Sequence, residues 1–285
     1  MSAVAVTPGS RRTVVLSELR KLPAFIRRDF LVALSYRFAF FSDALGLVSL
    51  TFVFYFIGKM VDSSQLPTYG GQPVTYIEFA AIGLALGVFT QFGLDRVGAA
   101  IRSEQMMGTL ESLLVTPTAS GTIQVGSVAF NFLYLPVRTV LFLVVLAVGF
   151  GLHFEPGGIL PALAILVVYI PFVWGLGVAG AAYALTFRRG AGVVGVVVMG
   201  LGLVSGVYFP LDLLPDWIAS IAQYNPIALA ITSMREVLLG GSGWSAVGSD
   251  IALLAVMSVF SLFLGLGAFR LAMRRERRLG TLGLY

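Results

Sequence analysis

The 285-residue sequence contains no cysteine, one histidine and two lysines. The missing cysteines exclude disulfides, thiolate metal sites and a cysteine nucleophile. His153, alone, leaves no histidine cluster for a metal and no base at membrane depth for a serine hydrolase. A phosphate-binding nucleotide loop needs close-approach glycines and a lysine, as in G-x-x-x-x-G-K-[ST]. Lys59 follows Gly58, but Val53 stands where the first glycine belongs and Met60 where the hydroxyl belongs; Lys21 follows Arg20. The chain therefore carries no such loop. Charge is also scarce: 12% of residues are Asp, Glu, Lys or Arg, and 58% are hydrophobic. An ordinary soluble domain carries roughly a quarter charged residues. So few charges cannot coat so much apolar surface in water, which excludes a soluble enzyme of ordinary composition and makes lipid the natural solvent.

Long apolar runs are what the sequence has instead. Crossing a hydrocarbon core of about 30 Å takes about 20 apolar residues in a helix rising 1.5 Å each. Six segments qualify: Phe38 to Val61 with Asp43 inside it, Tyr76 to Leu94, Gly121 to Leu152 with Arg138, Ile159 to Phe187, Ala191 to Phe209, and Ile251 to about Met273. Turn-forming residues separate them, notably Pro67, Gly70-Gly71, Pro156-Gly157-Gly158 and Gly240-Gly241.

The basic residues set the orientation. Arg11, Arg12, Arg20, Lys21, Arg27, Arg28 and Arg37 precede the first span, Arg96 and Arg102 follow the second, Arg188 and Arg189 follow the fourth, and Arg270, Arg274, Arg275, Arg277 and Arg278 follow the last. In an alternating six-span arrangement these sixteen of the 19 basic residues share one side. Lys59 and Arg235 fall on the other side and Arg138 within the membrane. The positive-inside rule makes the crowded side cytoplasmic, with both termini there. The net charge of +5 thus records orientation and gives no sign of nucleic acid.

Residues 1–15 read as a flexible cytoplasmic segment without the pattern of a secretory signal. Over residues 16–34, Leu19, Leu22, Ile26, Phe30 and Ala33 share one helical face opposite Arg20, Lys21, Arg27 and Arg28. That is either an amphipathic interfacial helix with a break at Pro23 or a basic flank that only fixes orientation. Over residues 101–117, Met106, Met107, Leu110, Leu113 and Leu114 occupy an arc of about 120°. Arg102, Glu104, Gln105, Gly108, Thr109, Glu111 and Ser112 take the rest, and Pro117 ends the helix. Such a helix lies along the cytoplasmic surface, its polar face offered to a soluble partner or merely covering the bundle.

On the opposite side, residues 210–240 hold two short helices. Pro215 opens the first; Asn225 as N-cap and Pro226 at the first helical position open the second, which Gly240-Gly241 ends. Both are too apolar for water and too short to span. They read as a re-entrant hairpin shielded by protein or as an external cap. Within the membrane, Arg138 follows Pro136, and either pairs structurally or meets a substrate headgroup. Aromatics gather at span ends, a few of which, with Phe41, Asp43, Tyr55 and Arg138, are candidates to line a path.

Glu104, Gly108-Thr109-Leu110-Glu111, Leu113-Leu114 and Thr116-Pro117 resemble the segment after the second span of ABC-2 type exporter permeases. Gly206-Val207-Tyr208-Phe209-Pro210, Leu214-Pro215, Trp217, Asn225-Pro226 and Arg235 resemble the segment after their fifth. The resemblance implies an all-α membrane protein whose six-helix transmembrane domain covers residues 35–275, followed by a cytoplasmic tail over 276–285. It implies a coupling helix at 101–117 seated in a groove of an ATPase, and an external gate formed by Tyr208, Phe209, Pro210, Pro215, Trp217, Asn225 and Pro226. It further implies a second permease copy and two cytoplasmic ATPase subunits holding ATP and Mg, with no cofactor in this chain, in a bacterial inner membrane. Scarce intramembrane charge favours an amphiphilic substrate, either a drug or secondary metabolite or a lipid-linked molecule, with lipid-linked polysaccharide the alternative. An ion-coupled transporter would need midplane carboxylates, and only Asp43 offers itself.

Overall fold

The computed structural model describes residues 20–35, 37–106, 120–187 and 191–279. Its helices are α1 (Leu22–Ser35), α2 (Arg37–Gly58), α3 (Tyr76–Met106), α4 (Ser120–Phe150), α5 (Ile159–Phe187), α6 (Ala191–Leu203), α7 (Asp216–Ala222), α8 (Pro226–Leu238) and α9 (Trp244–Leu279). Short 3₁₀ turns lie at Ser63–Gln65, Pro156–Gly158 and Leu211–Leu213. Among the described residues the only β-type pairing is an isolated bridge, in which Tyr69 and Gln72 exchange backbone bonds of 3.1 and 3.0 Å across Gly70-Gly71.

Among the described residues four stretches are long and apolar enough to cross a membrane: Tyr76–Asp95, Ala129–Phe150, Pro156–Tyr183 and Trp244–Arg275. The other two expected spans come out shorter. The described apolar part of α2 is Val48–Gly58. α6 stops after 13 residues, short of Phe209, because the chain turns at Gly206 (φ +73°) before Pro210. One local expectation also changes. α1 begins at Leu22, so Pro23 lies in a first turn, where its missing N–H breaks no bond. Residues 16–19 lie outside the described residues. Ile101 to Met106 continue the long α3, and 107–117 lies outside the described residues.

The start of α3 is fixed by a capping box. The Glu78 carboxylate accepts from the Thr75 N–H at 2.9 Å and hydroxyl at 2.8 Å, while the Thr75 Oγ1 accepts from the Glu78 N–H at 3.4 Å. α3 then runs 31 residues, about 46 Å, without proline. It is the most enclosed of the four stretches, 67% buried against 17% for α9. α5 packs against α3, α4, α8 and α9.

Lipid tails are as apolar as leucine, so helices here associate through close packing and polar contacts rather than by escaping water. α5 and α9 meet through small residues: a Cβ on Gly175 would strike the Ser261 backbone, and one on Gly265 the Gly175 carbonyl. The Ser261 hydroxyl donates to the Phe172 carbonyl at 3.1 Å in the same contact. α3 and α5 meet through the Thr90 and Tyr169 hydroxyls, 2.7 Å apart and buried, and through Gly93 against Val173. α1 packs on α4 with the Phe25 ring over Gly126 and Phe30 edge-on to Phe130 at 6.3 Å.

Replacing Gly265 by leucine is expected to destabilise the α5–α9 contact by about 1–3 kcal/mol. Gly267→Ala, with nothing within 4 Å of the added carbon, serves as the control. Thermal unfolding in detergent measures both, and equal melting temperatures would contradict the packing described.

Candidate functional site

Two short helices follow α6, and the second is tightly packed. Asn225 makes the turn between them. Its side-chain oxygen accepts from the Ile227 N–H at 3.0 Å as an N-cap, and its amide donates to the Leu201 carbonyl near the end of α6 at 2.9 Å. Pro226 takes the first helical position. Nine of the 13 residues of α8 are buried, and the helix sits against α3, α5 and α9. α7 differs: Trp217 and Ile221 are exposed, as is Tyr224 just after it.

The C-terminal end of α8 is gripped by backbone. The Glu155 N–H donates to the Leu238 carbonyl at 2.8 Å. Gly158 lies so close to the Val237 carbonyl that any side chain would collide with it, and Gly70 stands in the same relation to the Gly240 carbonyl. Gly70 also holds φ at +58°, which glycine adopts at no steric cost.

Arg235 projects from α8 into this packing and is 2% exposed. Its guanidinium donates from Nε (3.0 Å) and from Nη2 (2.9 Å) to the Phe79 carbonyl in the first turns of α3. The same Nη2 donates to the Val207 carbonyl at 3.3 Å. The guanidinium carbon lies 3.5 Å from the centroid of the Phe79 ring, a cation–π contact. Among the described residues no carboxylate pairs with it. Its charge rests on carbonyl dipoles, the Phe79 face and the Tyr69 hydroxyl. Burial lowers its pKa to about 10, and Tyr69 and then Tyr76 oppose that shift, so it stays charged at neutral pH. Burial likewise raises the Tyr69 pKa, with Arg235 opposing.

Two glycines make room for the arrangement. A Cβ on Gly83 would strike the Val207 carbonyl and sit 2.7 Å from Nη2. Gly206, at positive φ, turns the chain just before that carbonyl. The Tyr76 hydroxyl donates to the Tyr208 carbonyl at 3.1 Å, and the Tyr208 ring stacks on Phe54 of α2 at 5.7 Å. One cluster thus ties α2, α3, the 204–210 turn, α8 and the loop carrying Tyr69.

The expected gate residues divide. Pro210 and Asn225 are buried, Tyr208 belongs to the cluster, and Trp217 is exposed. Of the expected path, Phe41 and Asp43 lie on α2, with their side chains outside the described residues. Tyr55 packs on Phe150 at 5.5 Å, while Arg138 sits 4.0 Å from the Phe92 centroid, so the two are not brought together. Arg102, Glu104 and Gln105 fall in the last turns of α3; Gly108, Thr109, Glu111 and Ser112 lie outside the described residues. Arg235, read from sequence as an external charge, is instead the centre of the cluster. Its signals were its place in the resembling segment and a charge set among Ile231, Met234 and Leu238; Phe79 and Tyr69 carried none.

Residues 16–239 match the family described as ABC-2 type transporter. The chain is 24% identical over 198 residues to the inner membrane transport permease YadH of Escherichia coli K12, covering 68% of this chain and 74% of that protein. The YadH protein of Shigella flexneri matches to the same extent.

Asn225→Ala removes both the cap and the tie to α6, and is expected to cost about 1–2 kcal/mol. Asn225→Ser, which keeps the cap but lacks the amide donor to Leu201, should lie between alanine and wild type in thermal unfolding. Indistinguishable melting curves for the three would refute the double role.

Proposed function

Because the chain belongs to the ABC-2 type transporter family, we propose that it is the membrane subunit of an ATP-driven exporter working as a dimer with two cytoplasmic ATPase subunits. The observation that carries this reading is the family match over 16–239, which takes in both the 101–117 segment and the hairpin of α7 and α8. In this reading α2 and α6 complete six spans with both termini cytoplasmic, as the basic residues require. Residues 101–117 form the coupling helix, with Arg102, Glu104, Gln105, Gly108, Thr109, Glu111 and Ser112 toward the ATPase. ATP and Mg are held by that partner, consistent with the lack of a nucleotide loop here. The hairpin is the external gate. Closure of the ATPases shifts the two permease halves and opens a path past it, in the manner of rocking bundles.

The cargo that fits best is an amphiphile taken from the cytoplasm or inner leaflet: a drug, secondary metabolite or lipid-linked molecule. The four long stretches present mainly apolar faces, with exposed residues such as Val148, Val167, Phe260 and Phe263. Arg138, with Phe89, Leu135 and Thr139, borders a cavity of about 10 Å³, room for one water between α3 and α4. In this reading the arginine meets the polar end of the cargo.

Copurification with the ATPase and ATP hydrolysis in liposomes test the assignment. Leu110→Asp, which charges the apolar face of the coupling helix, should abolish copurification while leaving the permease in the membrane; retained association would sink the coupling-helix assignment. Arg138→Ala should lower efflux of a panel of amphiphilic dyes about tenfold at unchanged protein level, the scale of one lost charge-assisted contact. Normal efflux would remove Arg138 from the path.

A further inference from the structure

Arg235 and α3 together suggest how the two ends of the molecule communicate. α3 is a single helix from Tyr76 to Met106, with no proline to bend it. Near its first end, the Phe79 carbonyl and ring hold the buried guanidinium of α8 through two hydrogen bonds and a face contact. Its other end carries Arg102, Glu104 and Gln105 and runs directly into the 107–117 segment. The same guanidinium reaches Val207 in the turn after α6. Around it, Gly83 leaves the space it fills, and Gly70 and Gly158 bring backbone against the end of α8.

We propose that Arg235 is a positioning residue that makes α8 and α3 one mechanical body, so that a shift imposed at the 101–117 end of α3 moves the hairpin directly. This rests on the exporter reading for what imposes the shift, but the latch itself does not. The physical case is the cost of release. Parting α8 from α3 strands a charged guanidinium and leaves the Val207 carbonyl, in an irregular turn, without this donor, in surroundings that supply little water. Arginine suits the task better than lysine because its rigid fork serves two carbonyls from one plane while stacking on a ring. Coupling of this kind needs an element whose position both sites bias, and α3 touches both.

The test is hydrogen exchange by mass spectrometry on the full chain in liposomes with its ATPase subunits, without nucleotide and trapped with ATP and vanadate. In wild type, trapping should change exchange in residues 79–86 and 226–239 together. Arg235→Met should keep ATP hydrolysis within about twofold and keep the response at 79–86, but lose it at 226–239. Without nucleotide it should speed exchange at 226–239 about tenfold or more, as expected for loss of a hydrogen bond to a charged group, with 129–150 unchanged. Should Arg235→Met fail to accumulate, Arg235→Lys, which keeps the charge but not the fork, is read the same way, with a smaller acceleration expected. A trapped response at 226–239 that survives the substitution overturns the proposal. So does simultaneous loss of hydrolysis and of both responses, which marks a general structural defect. A wild-type chain that binds no ATPase refutes the exporter reading alone. The nucleotide-free comparison then decides the latch, and unchanged exchange at 226–239 overturns it.

Discussion

A single buried cation organises one end of this molecule. Arg235 has no carboxylate partner among the described residues, so its charge has to be met by dipoles, and these must be brought to it from several parts of the chain. That requirement explains features that look unrelated. Gly83 has no side chain because the guanidinium and the Val207 carbonyl occupy the space. Gly206 turns the chain so that this carbonyl arrives. The face of Phe79 supplies electron density that would otherwise come from an acid. Carbonyls and rings satisfy the cation without themselves introducing another charge, which suits a site packed among apolar helices.

Much of the fold was legible because the membrane imposes strong rules on sequence. The runs at Tyr76, Ile159 and Ile251 are long and nearly uncharged, and each contains a stretch that can cross the bilayer. The caps were legible too: Asn225-Pro226 starts α8 as their chemistry dictates, and Gly241 at positive φ follows its end. Length misled at the fifth run. Ala191 to Phe209 is uncharged throughout, but Gly206 and Pro210 end the helix early, and hydropathy does not see backbone conformation. After the second run α3 continues to Met106, because nothing in Arg96 to Gln105 stops a helix.

The site was less legible, since its parts are distant in sequence. Phe79 and Arg235 are 156 positions apart, and no local pattern joins them. Glycine spacing is a weak guide: the sequence has two G-x-x-x-G pairs, and Gly83 and Gly87 face Val207, whereas Gly202 meets nothing within 4 Å. The pair that brings α5 and α9 together, Gly175 and Gly265, lies on different helices, beyond the reach of any spacing rule. Sorting Arg235 by topology alone placed it among external charges. Burial, which only the structure supplies, gave it a different meaning.

The hydroxyl pair between α3 and α5 has its own implication for motion. Thr90 Oγ1 lies 2.8 Å from the Leu86 carbonyl and 2.7 Å from the Tyr169 hydroxyl, within a stretch long enough to cross the bilayer. Sliding α3 along α5 by even one turn would carry Thr90 about 5.4 Å from its partner and leave Tyr169 facing hydrocarbon. Tilting or rolling about that point keeps the two oxygens together. The pair therefore opposes piston-like travel of the helix more than rotation about this point, by about the 1 kcal/mol of one hydrogen bond.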